Sequence, residues 1–233
     1  MPTERQQKRA ERHRRVLSTS TVTAGRLRWD ANANRYRDTR GRFVAWRDVT
    51  AALEAGLDAS VRRFELWARQ VRSGSMSLAQ FELQVAAEVR SIHLVSAGVA
   101  RGGIPRLTAD DLQRIEATVR RELGYLARLT SQVADGSQAL DGTWIDRARQ
   151  YALAGRETLY TERGMWLQGQ GYDEERNIRY LGDTCAGCYA AEAAEWVPIG
   201  TLPPIGTRDC RRNCRCHIIY RKSTTGQVWR AEV

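Results

Sequence analysis

Five cysteines carry the clearest chemistry in this chain, and all lie between positions 185 and 216: Cys185, Cys188, Cys210, Cys214 and Cys216. The first two form a C-x-x-C, and a 21-residue gap leads to a C-x-x-x-C-x-C. Two cysteines separated by two residues turn a tight knuckle that presents both sulfurs to one ion, and a second pair from another loop completes a tetrahedral shell. Four thiolates at that spacing select zinc over harder ions. The pattern therefore predicts a structural zinc whose closure contributes folding free energy to a segment too small to bury much surface of its own. Cys185 and Cys188 are the firmest ligands. Cys210 and Cys214 form the easier second pair, with Cys216 or His217 competing for a place. Free thiols, another metal or an iron–sulfur cluster would use the same sulfurs. Disulfides fit less well, because five is an odd count and a reducing cytoplasm disfavours them.

A catalytic zinc keeps an open position with a general base beside it. Neither H-x-E nor H-E-x-x-H occurs in the chain. Glu192 and Glu195 follow the first knuckle at a spacing that a solvated helical face explains. His13 stands in a basic segment, and His93 falls beside an apolar helical stripe, where a partly buried core histidine is the ordinary case. A redox role for Cys185 and Cys188 lacks the βαβ context it needs. No Ser/His/Asp set, phosphate-cradling glycine loop or paired-carboxylate motif stands out. The expectation is a protein that is not an enzyme.

The elements that must position the cysteines change character near Gly171. Asn177–Leu181 and Cys216–Tyr220 alternate as short strands, with Pro-Pro and Pro-x-Gly punctuation between them, so residues 172–222 predict a small β-rich knob. Residues 45–171 predict helices. Val49, Leu53, Leu57, Val61, Phe64, Trp67 and Val71 fall three or four apart, and Ser73-Gly74-Ser75 breaks the run. A second stripe carries Leu78, Phe81, Val85, Val89, Ile92, Val95 and Val99 and ends at Gly102-Gly103. A third starts at Thr108, with Asp111 three residues on and Leu107 stapled to Leu112, and stops at Gly136. A fourth runs from Trp144 to Gln168, capped by Thr143 and lined by Ile145, Ala148, Ala152, Leu159 and Trp166, with Tyr151, Tyr160 and Met165 extending the packed face. The fold class expected is mainly α: an irregular bundle with a C-terminal zinc knob and a basic, extended N-terminal arm.

Charge is concentrated at the start of the chain. Residues 1–47 hold 13 Arg and Lys against 4 Asp and Glu, whereas the remainder holds 24 against 23. Arg9, Arg12, Arg14, Arg15, Arg26 and Arg28 make the arm a candidate for contacting DNA phosphates or an acidic protein face. A turn at Thr39–Gly41 between Tyr36 and Phe43-Val44 predicts a hairpin or docking segment within residues 1–44, and residues 223–233 read as a tail. Arg208, Arg211, Arg212, Arg215 and Arg221 surround the cysteines and offer a second phosphate-binding surface. Thirty-five of the 37 cations are arginine, which suits bidentate contacts to phosphate or carboxylate, although a GC-rich genome gives the same bias. No run of eighteen apolar residues predicts a membrane span, and the first residues carry no apolar core of a secretory signal.

Four segments together resemble the head-morphogenesis or minor head proteins of tailed bacteriophages, encoded beside the portal gene. They are Tyr36-Arg37-Asp38-Thr39-Arg40-Gly41-Arg42-Phe43-Val44; Ala100-Arg101-Gly102-Gly103 leading into Leu107-Thr108-Ala109-Asp110-Asp111; Ala148-Arg149-Gln150-Tyr151-Ala152 with Thr158-Leu159-Tyr160; and Asp183-Thr184-Cys185-Ala186-Gly187-Cys188 with Asn213-Cys214-Arg215-Cys216. The resemblance spans roughly residues 36–220, and order and spacing carry it more than any single motif. It departs where the family usually places His-Pro before its C-R-C; here Cys210 and Arg211-Arg212 occupy that neighbourhood, which puts the ligand set in question. The resemblance implies a low-copy structural component of the virion head, present in the host cytoplasm during assembly. Its implied partners are the portal and major capsid proteins, with phage DNA as a further one and no membrane. A zinc-containing nucleic-acid-binding protein, acting through the arm and knob, is the alternative the charges allow.

Overall fold

A computed structural model describes residues 27–179, 184–210 and 213–229 of the chain. Strands β1 (Arg28–Asp30), β2 (Arg35–Arg37) and β3 (Phe43–Val44) form an antiparallel sheet in that order. Gly41, at φ +78°, lies in the β2–β3 turn and supplies the left-handed conformation it requires. Tyr36 then faces Val44 and Arg37 faces Phe43. Tyr36 is buried, and its hydroxyl donates to the Val99 carbonyl at 2.9 Å, docking the sheet on the helices. The hairpin over 35–44 is as the sequence predicts; β1 is an addition. Arg28, expected in an extended arm, is exposed in β1 opposite Arg37. Arg9, Arg12, Arg14, Arg15 and Arg26 lie outside the described residues.

Five helices build the body: α1 (Trp46–Arg72), α2 (Leu78–Arg101), α3 (Ala109–Ala134), α4 (Gly142–Leu153) and α5 (Gly155–Gln168). The predicted stripes converge on one core: Leu53, Leu57 and Phe64 from α1, Phe81, Val85 and Val89 from α2, Leu126 and Leu129 from α3, and Trp144. Trp144 is fully buried, donates its indole N–H to the Ala68 carbonyl at 3.0 Å and packs on Phe81. Thr108 and Asp111 form a reciprocal capping box at the start of α3, with Leu107 and Leu112 both packed against the cluster of Leu94, Ala97, Ile115 and Val119. Ser77 and Gln80 form a second box at α2. Gly136, at φ +79°, follows α3 as expected.

The fourth predicted helix is two. Its cap is Asp141 and not Thr143: the carboxylate accepts the Trp144 N–H at 3.1 Å. The break falls at Ala154-Gly155, where a Cβ on Gly155 would come within 2.7 Å of Ile92 and Ser96. The glycine lets α5 lie against α2 at a separation no side chain permits. Met165, expected on the packed face, is 39% exposed. Asp141→Ala should cost about 1 kcal/mol in chemical denaturation, while Thr143→Ala should be nearly neutral. A larger loss for Thr143→Ala would contradict the capping assignment.

Beyond α5 the chain forms a four-stranded antiparallel sheet, ordered β5-β4-β6-β7, from β4 (Glu174–Ile178), β5 (Val197–Pro198), β6 (His217–Arg221) and β7 (Val228–Trp229). Helix α6 (Ala186–Ala193) packs beside it. The two predicted strands are present, with β4 shifted toward the N-terminus; Tyr180 and Leu181 lie outside the described residues. β7 falls within the segment read as a tail and pairs with β6. The knob has its own core of Leu167, Ile205, Ile218 and Tyr220 with Cys188, Cys214 and Cys216. It is tied to the body by the Tyr220 hydroxyl on the Tyr160 carbonyl (3.2 Å), and by Arg156, which spans from Glu54 on α1 (2.8 Å) to the Cys214 carbonyl (3.5 Å). No helix among the described residues is long and apolar enough to cross a membrane.

Candidate metal centre

Cys185 is the N-cap of α6 and Cys188 lies in its first turn, joined by the Cys188 N–H to the Cys185 carbonyl at 3.0 Å. Cys210 and Cys214 come from the loop between β5 and β6, and Cys216 stands one residue before β6. All five thiols are free. The Cys188 sulfur sits 3.5 Å from Cys185, 3.6 Å from Cys210 and 3.5 Å from Cys214. Two overlapping sets of potential metal ligands result, Cys185–Cys188–Cys210 and Cys188–Cys214–Cys216, each with its sulfurs within 4.8 Å of one another. A tetrahedron with metal–sulfur bonds of about 2.3 Å has sulfur–sulfur edges of roughly 3.8 Å. The observed spacings match that within a few tenths of an ångström and are far too long for disulfides.

His217, the expected competitor, enters neither set. Cys216 and Ile218 turn into the knob core, so strand alternation directs His217 away from it. Its ring is partly buried, and burial lowers its pKa. Glu192, weighed as a partner for a catalytic ion, is held by Arg179 at 2.8 Å on the outside of the knob.

The proton inventory follows from burial and from the sulfurs' closeness. Burial raises the Cys185 thiol, but the backbone N–H groups of Cys210 and Cys188 and the adjacent sulfurs outweigh it, and the group sits at about 7. Burial pushes Cys188 well up, although Arg208 opposes it, and pushes Cys210 up to about 12. Several thiolates crowded into this volume repel one another, and a divalent cation at their centre is the group that lets them ionise together.

Four residues around the sulfurs hold the cluster in place in ways its spacing does not announce. Arg208, expected to offer phosphate contacts, is instead 5% exposed and turned inward. Its Nη1 donates to Asn177 Oδ1 at 2.8 Å and lies 3.8 Å from the Cys188 sulfur, while Nε donates to the Pro203 carbonyl at 3.0 Å. Nη2 is buried without a hydrogen-bond partner, and the guanidinium's charge is felt by the buried Glu175 carboxylate. A buried cation favours nearby anions, so a Cys188 thiolate would add a second counter-charge beside Glu175. Asn177, fully buried on β4, donates to the Cys188 carbonyl at 3.5 Å. Asp209 accepts the Gly187 N–H at 2.8 Å, clamping the second cysteine loop onto the first knuckle. Glu175 accepts from Gly200 (3.0 Å) and Leu202 (2.9 Å), fixing the approach to that loop; burial raises its pKa. The signal for Arg208 and Asp209 was their position immediately before Cys210; nothing local singled out Asn177.

The other arginines of the knob divide. Arg215 is exposed, Arg221 is paired with Glu174 and packed on Trp196, and Arg211 and Arg212 lie outside the described residues. No family model, no curated protein and no solved structure matches the chain.

Proposed function

We propose that the chain is a structural minor head protein of a tailed bacteriophage, acting in head assembly beside the portal and major capsid proteins, with a structural zinc closing its C-terminal knob. The observation that carries the reading is the closed character of the thiolate centre. Its sulfurs are mostly buried in an apolar knob core, an internal arginine lies beside them, and among the described residues no histidine or carboxylate joins either ligand set. That arrangement suits a fastener and not a reacting site. The sulfur spacing favours a single ion over an iron–sulfur cluster, which interposes several atoms and spreads its ligands further apart. Thiolate softness then favours zinc.

The motifs of the family resemblance support the same reading by where they lie. The hairpin leads directly into α1, whose first residue Trp46 packs edge-on against Trp229 of β7 in the C-terminal sheet. Leu66, Leu83 and Tyr125 expose 54%, 71% and 44% of their surface on α1, α2 and α3, and supply apolar anchors for protein neighbours. The basic arm serves the same assembly by reaching DNA or an acidic face. Mass spectrometry of gradient-purified procapsids and mature particles tests the proposal. The protein is expected at few copies per particle together with the portal protein, and its absence from both particles would refute it.

A further inference from the structure

A second site lies where the hairpin, the start of α1, α5 and the C-terminal sheet meet. A cavity of 580 Å³ opens there, walled by Trp29, Trp46, Trp166 and Trp229, four of the seven tryptophans in the chain. Its lining includes three cations, Arg35, Arg163 and Lys222, and no acidic residue. Arg163 is 2% exposed. Its guanidinium lies between the indoles of Trp46 (4.4 Å), Trp166 (4.4 Å) and Trp229 (4.2 Å). One of its donors reaches the Ala100 carbonyl at 3.0 Å, Nε has no acceptor, and no carboxylate among the described residues pairs with it. The Trp29 indole N–H is likewise buried without an acceptor. Trp29 is held in place by Gly102, where any Cβ would fall within 2.4 Å of the indole.

Arg163 is held by three indole faces and has no counter-ion among the described residues, and two unsatisfied donors lie with it beside an aromatic-walled cavity, an arrangement that suits an anionic ring. Charged groups are kept inside proteins when a partner neutralises them, and aromatic walls accept flat rings. The volume lies in the range of small-molecule sites and suits a ring system carrying one anionic head. We propose that this cavity binds a small aromatic anion of nucleoside-monophosphate size, its ring against the tryptophans and its phosphate toward Arg163 and Lys222. The inference does not rest on the metal centre or on the virion reading, and stands or falls separately from both.

The four tryptophans make the site self-reporting. Titration of the full chain with AMP, followed by intrinsic fluorescence and calorimetry, should show one saturable site with Kd at or below about 1 mM. Adenosine and inorganic phosphate should each bind at least about tenfold more weakly, because each supplies only half of the recognition. Lys222→Gln, at the cavity edge, should weaken AMP severalfold without changing the thermal midpoint. Arg163→Lys, if folded, should weaken it further. No saturable AMP binding, equal binding of adenosine, or an unchanged affinity in Lys222→Gln would overturn the proposal.

Discussion

Cys188→Ser is expected to release the metal from this protein and unfold the knob while leaving the helical body standing. Cys188 is the one sulfur common to both ligand sets and touches Cys185, Cys210 and Cys214. Its loss would strip a bound ion of the ligand shared by both sets and remove the sulfur that lies 3.8 Å from Arg208. Structural zinc contributes on the order of 10 kcal/mol of apparent binding free energy to small domains at neutral pH. The apolar groups of the knob core, Leu167, Ile205, Ile218 and Tyr220, cannot replace that: full burial of each is worth only about 1.5–3 kcal/mol before chain entropy is charged against it. The main core contains none of the cysteines, so far-ultraviolet circular dichroism should retain most of its helical signal. Limited proteolysis should instead cut after Gln168. Cys216→Ser, outside the Cys185–Cys188–Cys210 set, should be milder. A Cys188→Ser protein that resists proteolysis as well as the parent does would contradict this.

Glu162→Ala should lower stability by about 3–5 kcal/mol, the cost of removing one partner from a buried ion cluster. Glu162 and Asp111 are each 3% exposed, and Arg101 lies 2.8 Å from the first and 2.7 Å from the second. Arg114 donates to both, which joins α3 to α5 across the end of α2. Glu162→Ala leaves two guanidinium groups facing a single carboxylate in a shielded site. The same cluster imposes a pH dependence. Burial raises the Asp111 carboxyl, but hydrogen bonds from Thr108 and the charges of Arg101 and Arg114 outweigh it and hold its pKa below the ordinary value of 3.8. A carboxyl depressed in the folded state contributes stability that is whole above its unfolded value and is lost as pH falls through the folded one. Denaturation free energy should therefore decline on acidification below the usual aspartate range, and Asp111→Asn should flatten that decline. An acid limb unchanged in Asp111→Asn would place the effect elsewhere.

Local rules in the sequence reached the helical body because its stripes and caps are local. Thr108 and Asp111 announce the start of α3 within four residues, and the spacing of Leu53, Leu57 and Phe64 reports a face without knowledge of what covers it. The division of the last long helix was hidden because its cause is distant. Gly155 breaks a helical pattern that Ala152 and Leu159 continue, and only the proximity of Ile92 and Ser96 explains why. Thr143 reads as the cap because threonine caps well, but Asp141 two residues earlier caps as well, and its hydrogen bond from Trp144 settles it. In the metal centre the five sulfurs were legible from spacing alone. Their ranking was not, because it depends on how a loop of about twenty residues folds back. Arg208 looked like a surface cation by its type and neighbours, and its inward turn depends on Asn177, thirty-one positions earlier. Arg163 and its tryptophans were invisible for the same reason: Trp46, Trp166 and Trp229 meet only in three dimensions.

Metal analysis of the purified protein tests the central claim most directly, by elemental mass spectrometry combined with X-ray absorption at the metal edge. The account predicts about one zinc per chain in a sulfur-only shell, with metal–sulfur distances of about 2.3 Å, and loss of that zinc in Cys188→Ser. A protein that folds to the same stability without bound metal, or that carries an iron–sulfur cluster, would contradict it.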